Sequence, residues 1–364
     1  MKKRILIIGD GNHQFNKHLS KYLRRDLEYS VDVISFYKVE DGKTFFDKIY
    51  DIKPPRLTFN TFKVLYILIR VYAFLLTKSH RYEYISLQFL RPLYSKLLSL
   101  PFLRHKKIIA SVWGSDLLGQ HLTEKEKINI FSKVGKITCA TSFIKNKIQA
   151  LTETEVNIIK YGLEPLEAIR KDTSTKSEAK RYFDICDKKI TIAVGYNGAR
   201  RQRHLEFIHA LLDTLPEYDF KKLFFLFPVT YGRDELYLEK LKSVCEGNGI
   251  NSLFFDEFMT EKEVAKLRIC SDFFINIQPT DAISGALQEH IMAGSKVICG
   301  SWLNYTTLTD QGINITFVDS IDSIAGYLFD VESLKERDDK NAKVIYRISS
   351  WENCIKGWGD VFGE

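Results

Sequence analysis

The chain has few of the residues that mark several common classes of protein. Its 364 residues include only 6 cysteines, 8 prolines and 3 methionines. The cysteines are scattered and form no Cys-x-x-Cys pair, so we expect reduced core residues in a cytoplasmic protein rather than a disulfide framework. There is no Asp-x-Asp triplet and no His/Cys cluster with zinc spacing. We therefore expect neither metal dependence nor a bound cofactor.

Long apolar runs, repeats and low-complexity tracts are also missing. The chain opens on Lys2–Arg4 and the short apolar run Ile5–Ile8, without the longer apolar core and small-residue cleavage site of a signal peptide. Hydrophobic residues make up 45% and charged residues 27%, a globular, soluble profile. The length is sufficient for two domains, each with its own core.

Charge is distributed unevenly along the chain. Residues 1–170 carry 29 Lys+Arg and 16 Asp+Glu, a net +13, whereas the remainder carries 24 and 30, a net −6. This asymmetry indicates an anionic partner for the N-terminal half. Because no nucleic-acid-binding signature occurs, we expect no nucleic acid, and an anionic membrane surface is the remaining candidate.

The segment Phe62–Leu76 bears on that choice. Its apolar run is interrupted by Arg70, so it is too short and too charged to span a bilayer. Mixed basic and apolar residues continue beyond it, which would suit a helix lying on a membrane interface. An ordinary buried helix with solvated flanks is the alternative. The basic residues concerned are Lys78, Arg81, Arg91, Lys96, Arg104, Lys106 and Lys107.

Short β-rich runs alternate with helical stretches along the whole chain, which is typical of parallel α/β layers. The first half offers six candidate strands: 5–8, 31–36, 84–87, 108–112, 137–141 and 156–160. The second half offers six more: 190–195, 223–227, 253–255, 273–277, 297–299 and 315–318. The polar stretch 170–180 is the best linker candidate. We predict an α/β protein with two Rossmann-like, doubly wound domains facing each other across a cleft, with ligands at the carboxyl ends of the strands.

The segment Asp281–Gly294 follows one predicted strand and precedes another. A helix starting near Ser284 would leave the backbone N–H groups of Ser284, Gly285 and Ala286 free to bind phosphate. Glu289, one turn further on, could reach a ribose diol, and Asp281 could accept hydrogen bonds from sugar hydroxyls. The alternative is a surface N-cap followed by a solvated glutamate.

The loop after the strand 190–195 contains glycine, Asn197 and three arginines. Arg200, Arg201 and Arg203 could neutralise the diphosphate of a leaving group, while Gly195 supplies unusual backbone angles. A solvated basic turn is the alternative.

Three further residues follow predicted strands. Asp116 could face the cleft or cap the next helix. Gly11, which we expect to contact the donor, lies in a small-residue loop at the cleft. This loop lacks the third glycine of a dinucleotide fingerprint, because Gln14 stands at that position. Tyr231 could stack on a base or sugar, or lie exposed in a turn.

These segments resemble, in order and spacing, the family-4-type retaining glycosyltransferases of the GT-B fold. The resemblance rests on Trp113–Asp116, Tyr161–Glu164, the loop at Val194–Gly195, and Asp281 with Glu289. Trp113–Leu117, Val194–Arg200 and Pro228–Gly232 look more closely like the 4-acetamido-4,6-dideoxygalactosyltransferases of enterobacterial common antigen synthesis.

The resemblance implies an acceptor-binding domain at 1–168 and a nucleotide-sugar-binding domain at 169–345, with 346–364 crossing back to the first domain. It implies that Glu289 binds ribose, Asp281 contacts the donor sugar, and the loop Arg200–Arg203 holds diphosphate. The leaving phosphate itself would take the acceptor proton, with retention at the sugar carbon.

We therefore expect a glycosyltransferase of the hexosyltransferase class, with Asp116, Asp281 and Arg200 as catalytic groups. It would act at the inner membrane face on a glycan acceptor, lipid-linked, in lipopolysaccharide or capsule synthesis. Two alternatives remain open: a nucleotide-sugar epimerase of the same fold, and a noncatalytic partner subunit of a transferase.

Overall fold

The chain forms two compact units. Unit 1 comprises Met1–Gly162 and Trp351–Glu364, and unit 2 comprises Leu163–Ser350. The sequence placed these changes at 168/169 and 345/346 instead. The structure is a computed structural model, and it describes residues 2–40, 42–54, 60–99, 107–281, 283–329 and 339–363.

Unit 1 is built on a parallel sheet of seven strands. In the described chain these are β1 (Arg4–Gly9), β2 (Ser30–Ser35), β3 (Lys48–Asp51), β4 (Tyr84–Gln88), β5 (Ile108–Val112), β6 (Lys136–Cys139) and β7 (Val156–Ile158), in the order β3-β2-β1-β4-β5-β6-β7. The inner strands are buried on both faces and therefore read as continuous apolar runs. The sequence missed β3, an edge strand whose four residues are exposed or half-buried.

Helices and turns connect the strands of unit 1. They are α1 (Gln14–Asp26), α2 (Gly42–Phe45), α3 (Asn60–Lys78), a 3-10 turn at Ser79–Arg81, α4 (Pro92–Leu97), α5 (Ser115–Leu118), α6 (Glu124–Phe131) and α7 (Ser142–Gln149).

Unit 2 repeats the architecture with six parallel strands. These are β8 (Ile190–Val194), β9 (Leu223–Pro228), β10 (Ser252–Phe255), β11 (Phe273–Asn276), β12 (Lys296–Gly300) and β13 (Thr316–Val318), in the order β10-β9-β8-β11-β12-β13. Its helices are α8 (Pro165–Lys171), α9 (Lys176–Tyr182), α10 (His204–Thr214), α11 (Glu217–Phe220), α12 (Glu235–Gly247), α13 (Glu261–Cys270), α14 (Gly285–Ala293), α15 (Thr306–Thr309) and α16 (Asp339–Ser349). Short 3-10 turns occur at Arg200–Gln202 and Asp322–Tyr327.

The stretch 170–180 is not a linker, so that prediction is wrong. It lies inside unit 2, where Thr175 and Glu178 form a capping box that starts α9. The ammonium group of Lys180 on this helix is buried and lies 2.8 Å from the carboxylate of Asp272. In the sequence a lysine counts as a polar, exposed position. The buried Lys180 therefore interrupts the apolar periodicity by which α9 could have been predicted.

The last helix, α17 (Trp351–Gly363), belongs to unit 1 and packs on α1. The ring of Trp351 stacks on Tyr22 with centroids 4.8 Å apart. Gly162 is needed here, because a Cβ at that position would stand 2.4 Å from Cγ of Trp351. Ser350 separates α16 from α17.

Helix α3 has two apolar faces. Val71 and Leu75 are buried in the core of unit 1. The opposite face presents Leu65, Ile69 and Leu76, which are 51%, 56% and 56% exposed. Within the described ranges, no helix is long and apolar enough to cross a bilayer. Arg104 and Lys106, which the sequence grouped with this region, lie outside the described residues.

Candidate functional site

Unit 2 has one point where the order of its strands reverses, between β8 and β11. In such sheets the loops that leave the two strands diverge to opposite faces, and ligands bind in the gap at the carboxyl ends. The two loops here are 195–203 and 277–284. They carry five of the predicted donor-binding residues, Gly195, Asn197, Arg201, Arg203 and Ser284, and α14, which follows the second loop, carries Gly285, Ala286 and Glu289.

The first loop has a tightly constrained shape. Gly195 has φ +63°, and a Cβ there would lie 2.8 Å from Oε1 of Gln202. Asn197 is buried, and its Oδ1 accepts a hydrogen bond of 3.0 Å from the backbone N–H of Ala199. The loop ends at Arg203, which adopts the left-handed conformation at φ 61°. Positive φ values outside glycine are uncommon, so the surrounding contacts must fix this turn.

The three arginines of this loop differ in their surroundings. Arg200 is 70% exposed at its side chain and lies 3.4 Å from Asp234. The guanidinium of Arg203 lies 6.0 Å from the ring centroid of Trp302. Arg201 instead donates to the hydroxyl of Tyr196 at 3.5 Å. Arg201 therefore lies beside Tyr196, which is itself hydrogen-bonded to Gln278 of the second loop.

Tyr196 links the two loops. Its hydroxyl is hydrogen-bonded to the side-chain amide of Gln278, with the amide nitrogen at 3.0 Å. Burial, reinforced by the charge of Asp281, raises the pKa of Tyr196 to about 12. The phenol therefore stays protonated, and its hydrogen bonds go to Gln278 and Arg201.

Tyr231 lies on the neighbouring loop after β9. The backbone N–H of Gly198 donates to the carbonyl of Tyr231 at 2.9 Å, which joins this loop to the arginine loop. Its ring is 48% exposed. Burial of the hydroxyl raises the pKa of Tyr231, and the charge of Glu289 adds to the effect.

Helix α14 begins directly after the second loop. Ser284 is its N-cap, and its Oγ accepts the N–H of Leu287 at 3.2 Å. The N–H groups of Gly285 and Ala286 have no partner within the helix, as in the first turn of any α-helix. The helix dipole adds positive potential at the same place, so this end can bind an anion.

Glu289 is buried on this helix and forms an ion pair. Its Oε2 accepts from Nε of Arg268 at 3.0 Å and from Nη2 at 2.9 Å. Oε1 has no hydrogen bond to any described residue and lies 3.8 Å from where a Cβ on Gly285 would stand. One carboxylate oxygen is thus committed to the protein, and the other faces the start of the helix.

The same arginine fixes His290. Nη1 of Arg268 lies 3.2 Å from Nε2 of His290, and Nδ1 lies 3.0 Å from Oγ of Ser295. Since a guanidinium can only donate, Nε2 must be the unprotonated nitrogen. Burial, with the charge of Arg268 next, lowers the pKa of His290 well below its usual value.

Asp281 is held by a buried tyrosine. The hydroxyl of Tyr305 donates to Oδ2 of Asp281 at 2.7 Å and accepts from Nδ2 of Asn276 at 2.6 Å. Burial and then the Asp281 charge raise the pKa of Tyr305, so it remains a donor. Sequence reasoning missed Tyr305, Arg268 and Gln278, because each is distant in sequence from its partner and no spacing pattern connects them.

In unit 1, Asp116 has a different role from the one predicted. Its side chain is fully buried: Oδ1 accepts from the backbone N–H groups of Trp113, Gly114 and Leu117, and Oδ2 accepts from that of Leu90. Burial raises the pKa of this carboxyl against the opposing effect of these bonds. The prediction that Asp116 is catalytic is therefore corrected: it positions the loops after β4 and β5.

Gly11 also serves packing in unit 1. Its N–H donates to Oγ of Ser35 at 3.1 Å, and a Cβ would stand 2.6 Å from Cγ2 of Val39. Nearby, His13 caps α1 through Nδ1, which accepts the N–H of Phe15 at 3.2 Å. Burial lowers the pKa of His13 to about 4.

The whole chain has the fold of several solved structures. HepE of Anabaena, in complex with UDP and glucose, matches with a TM-score of 0.76 at 10% identity over 99% of both chains. A glycosyltransferase from Rickettsia africae matches with a TM-score of 0.76 at 14% identity, over 99% of this chain and 98% of that one. The lipopolysaccharide outer core galactosyltransferase WaaB, in its apo form, matches with a TM-score of 0.68 at 14% identity over 99% of both chains.

At these identities the likeness shows the fold alone. That fold is GT-B, with two Rossmann-like parallel-sheet domains, and the predicted fold class is confirmed. No protein-family model matches the chain, and no curated protein matches it. No group of three or more His, Cys, Asp or Glu residues suited to a metal ion occurs in the part of the chain that the structure describes.

Because the protein buries neutral histidines, we expect its free energy of unfolding to decrease in mild acid. Burial lowers the pKa of His204, beneath the arginine loop, to about 4. Below about pH 6.5 the unfolded chain binds a proton at His204 that the folded protein does not. The free energy of unfolding should therefore fall by about 2 kcal/mol between pH 7.5 and pH 5 for this histidine alone. Urea denaturation at pH 7.5 and pH 5 measures the loss.

His204→Leu should reduce that pH dependence, whereas His209→Leu, at an exposed position of the same helix, should leave it unchanged. An identical pH dependence in the wild type and His204→Leu would contradict the assignment of a neutral, buried His204. Depressed carboxyl pKa values such as that of Asp272 act at lower pH and do not interfere in this window.

Proposed function

We propose that the protein is a glycosyltransferase of the hexosyltransferase class that uses a nucleotide-diphosphate sugar without a metal ion. The observation that carries this proposal is the reversal point of unit 2. There the loop with Arg201 follows β8, and α14 with the free oxygen of Glu289 follows β11, so both lie at the same sheet edge. The UDP bound by HepE, a protein of the same fold, supports this choice of ligand.

The diphosphate is the group that the start of α14 suits best. The N–H groups of Gly285 and Ala286 would donate to phosphate oxygens, and Arg201 would add a bidentate, permanently charged contact. Arg203 lies further along the same loop, and Arg200, directly before Arg201, is already paired with Asp234. Positive groups that are fixed before the reaction stabilise the charge that develops on a departing diphosphate.

The remaining groups would bind the nucleoside and the sugar. Oε1 of Glu289 would accept hydrogen bonds from a ribose diol, since Arg268 already occupies Oε2. Tyr231 and Asn197 lie on adjoining loops, where the half-exposed ring can stack on a base or sugar. Asp281, fixed by Tyr305, would accept hydrogen bonds from the donor sugar.

For the chemical step we propose retention. The bond between the sugar's anomeric carbon and the diphosphate oxygen breaks, and the acceptor oxygen bonds to that carbon on the same face. The acceptor proton passes to the leaving diphosphate. Unit 1 would bind the acceptor, and Asp116 contributes only by holding its loops. The sequence resemblance supports this mechanism and a role in surface polysaccharide synthesis, such as lipopolysaccharide or capsule, with a lipid-linked acceptor.

We also propose that the protein is peripheral to the inner face of the cell membrane, through the exposed face of α3. Residues 52–82 contain six Lys or Arg and no Asp or Glu. An apolar helix face in a basic surrounding fits an anionic bilayer, which takes up the apolar side chains and attracts the charges.

Glu289→Gln tests the donor site. It keeps the size of the side chain and one hydrogen bond to Arg268 but removes the charged acceptor for ribose. Because a hydrogen bond to a charged group is worth about 1.5–3 kcal/mol, nucleotide binding should weaken about tenfold or more. Calorimetric titration with UDP, GDP and dTDP in turn, without added metal, measures this.

The matched control is Glu239→Gln, at an exposed position on α12, which should bind as the wild type does. Glu289→Ala is a poorer variant, since it leaves Arg268 buried and unpaired at a cost of about 3–5 kcal/mol in stability. Unchanged nucleotide affinity in a folded Glu289→Gln would remove the ribose role. No binding of any nucleotide by the wild type would favour a noncatalytic partner subunit.

The double variant Leu65→Asp/Ile69→Asp tests the membrane surface. Both side chains are more than half exposed, so the fold should persist. Burying one such side chain is worth about 1.5–3 kcal/mol, so binding to phosphatidylglycerol vesicles should fall at least about tenfold. Vesicle cosedimentation measures this, and high salt should weaken the wild-type binding.

Leu236→Asp, at a 78% exposed leucine of unit 2, is the control and should bind vesicles normally. Equal vesicle binding by the wild type and the double variant would contradict the assignment. So would a dimer in solution that the double variant dissociates.

A further inference from the structure

Unit 1 has its own point of strand-order reversal, between β1 and β4. The loops that leave these strands carry Asp10–His13 and Phe89–Arg91. The adjoining loops after β2 and β5 carry Tyr37 and Trp113. Four neighbouring strands therefore place their following residues at one sheet edge, where a ligand of this unit would bind.

Arg91 is an unusual cation at this edge. Its guanidinium lies 5.6, 5.9 and 5.8 Å from the ring centroids of Phe36, Tyr37 and Phe89. Its Nε is buried without a hydrogen-bond partner. No carboxylate of the described residues lies within ion-pair distance of it. Its polar neighbours are the hydroxyls of Tyr37 and Tyr94, and the charge of Asp10 acts on it at longer range.

Two other arginines of unit 1 are each paired with a carboxylate. Arg4 lies 2.8 Å from Asp32, and Arg24 lies 3.2 Å from Asp47. A buried donor without a partner is costly, and a cation held against aromatic faces retains its full charge. Arg91 therefore keeps at least one donor, its Nε–H group, that could bind an anion.

The segment that carries Arg91 is held rigidly. Phe89 adopts φ 57°, and its N–H donates to the carbonyl of Ser111 at 3.1 Å. The next N–H, that of Leu90, donates to Oδ2 of Asp116 at 2.8 Å. A strained residue fixed by a buried carboxylate pre-organises the arginine, which reduces the entropy lost when a ligand binds.

A row of aromatic rings continues from Arg91 along the edge. The centroid of Phe89 lies 5.4 Å from that of Trp113, and Trp113 lies 4.2 Å from His13. His121 stacks on Phe89 at 5.7 Å. Such rings offer apolar faces on which the C–H face of a sugar can lie, within reach of the cation.

We propose that this edge binds a phosphorylated glycan, with Arg91 on the phosphate and Phe89 and Trp113 under the sugar. A guanidinium fork matches phosphate oxygens in a bidentate arrangement. The inference rests on the proposed transferase function, because it names the chemical class of the acceptor. The phosphate can belong to a lipid diphosphate or to a soluble sugar phosphate.

The test is calorimetric titration of the full chain with three forms of one sugar. The probes are N-acetylglucosamine 1-phosphate, N-acetylglucosamine on a short prenyl diphosphate, and the neutral methyl glycoside. The wild type should bind at least one phosphorylated probe about tenfold or more tightly than the methyl glycoside. Arg91→Gln should abolish this preference, and Arg91→Lys should keep part of it.

Arg25→Gln is the matched control, since Arg25 is an exposed arginine of unit 1 paired with Asp26. Arg25→Gln should keep the preference for the phosphorylated probes. Arg91→Gln should bind UDP with the affinity of the wild type. If Arg91→Gln does not fold, the partial loss in Arg91→Lys carries the test. A stronger response to the prenyl diphosphate identifies a lipid-linked acceptor, and an equal response identifies a soluble one.

Three results would overturn the proposal. These are no phosphate preference in the wild type, an unchanged preference in Arg91→Gln, and an equal loss of UDP affinity in Arg91→Gln, which would assign Arg91 to the nucleotide. Failure of UDP to bind the wild type would instead count against the transferase function, and the phosphate preference would still be measurable.

Discussion

Both units depend on the same constraint: a parallel sheet whose strand order reverses once. Every strand ends at the same edge, so all the loops that follow strands collect there. At the reversal, between β1 and β4 in unit 1 and between β8 and β11 in unit 2, the loops diverge to opposite faces. The divergence leaves a gap between the two loops in each unit, and the polar residues described above lie around that gap.

Buried polar groups give those loops their shape. Asp116 binds four backbone N–H groups from two loops of unit 1. In unit 2, Arg268 fixes Glu289 and His290, and Tyr305 fixes Asp281. Buried polar groups are costly unless they are hydrogen-bonded. The groups named here are hydrogen-bonded within the protein, so they stabilise the loops and do not need a ligand as a partner. What remains for a ligand is the unsatisfied part: Oε1 of Glu289, the first amides of α14, and Arg91.

Much of the fold could be predicted from the sequence. Apolar runs placed twelve of the described strands, most of which are buried on both faces. The failures have physical causes. β3 is an exposed edge strand with no apolar run, and α9 hides its pattern because Lys180 is buried through Asp272.

The site was less accessible to sequence reasoning. The ends of the predicted strands showed where polar residues would lie, but not which of them are hydrogen-bonded within the protein and so unavailable to a ligand. Asp116 has the residue type and position of a catalytic group, yet its oxygens are taken by backbone amides. Arg268 pairs with Glu289 across 21 positions and two elements, a relation that no local spacing encodes.

The central claim is that the edge of unit 2 binds a nucleotide diphosphate. Hydrogen–deuterium exchange of the full chain with UDP, GDP and dTDP in turn, without added metal, tests it most directly. We expect one of these nucleotides to slow exchange of the backbone amides at 195–203 and 283–289. Unchanged exchange in both segments with every nucleotide, or protection confined to other parts of the chain, would contradict it.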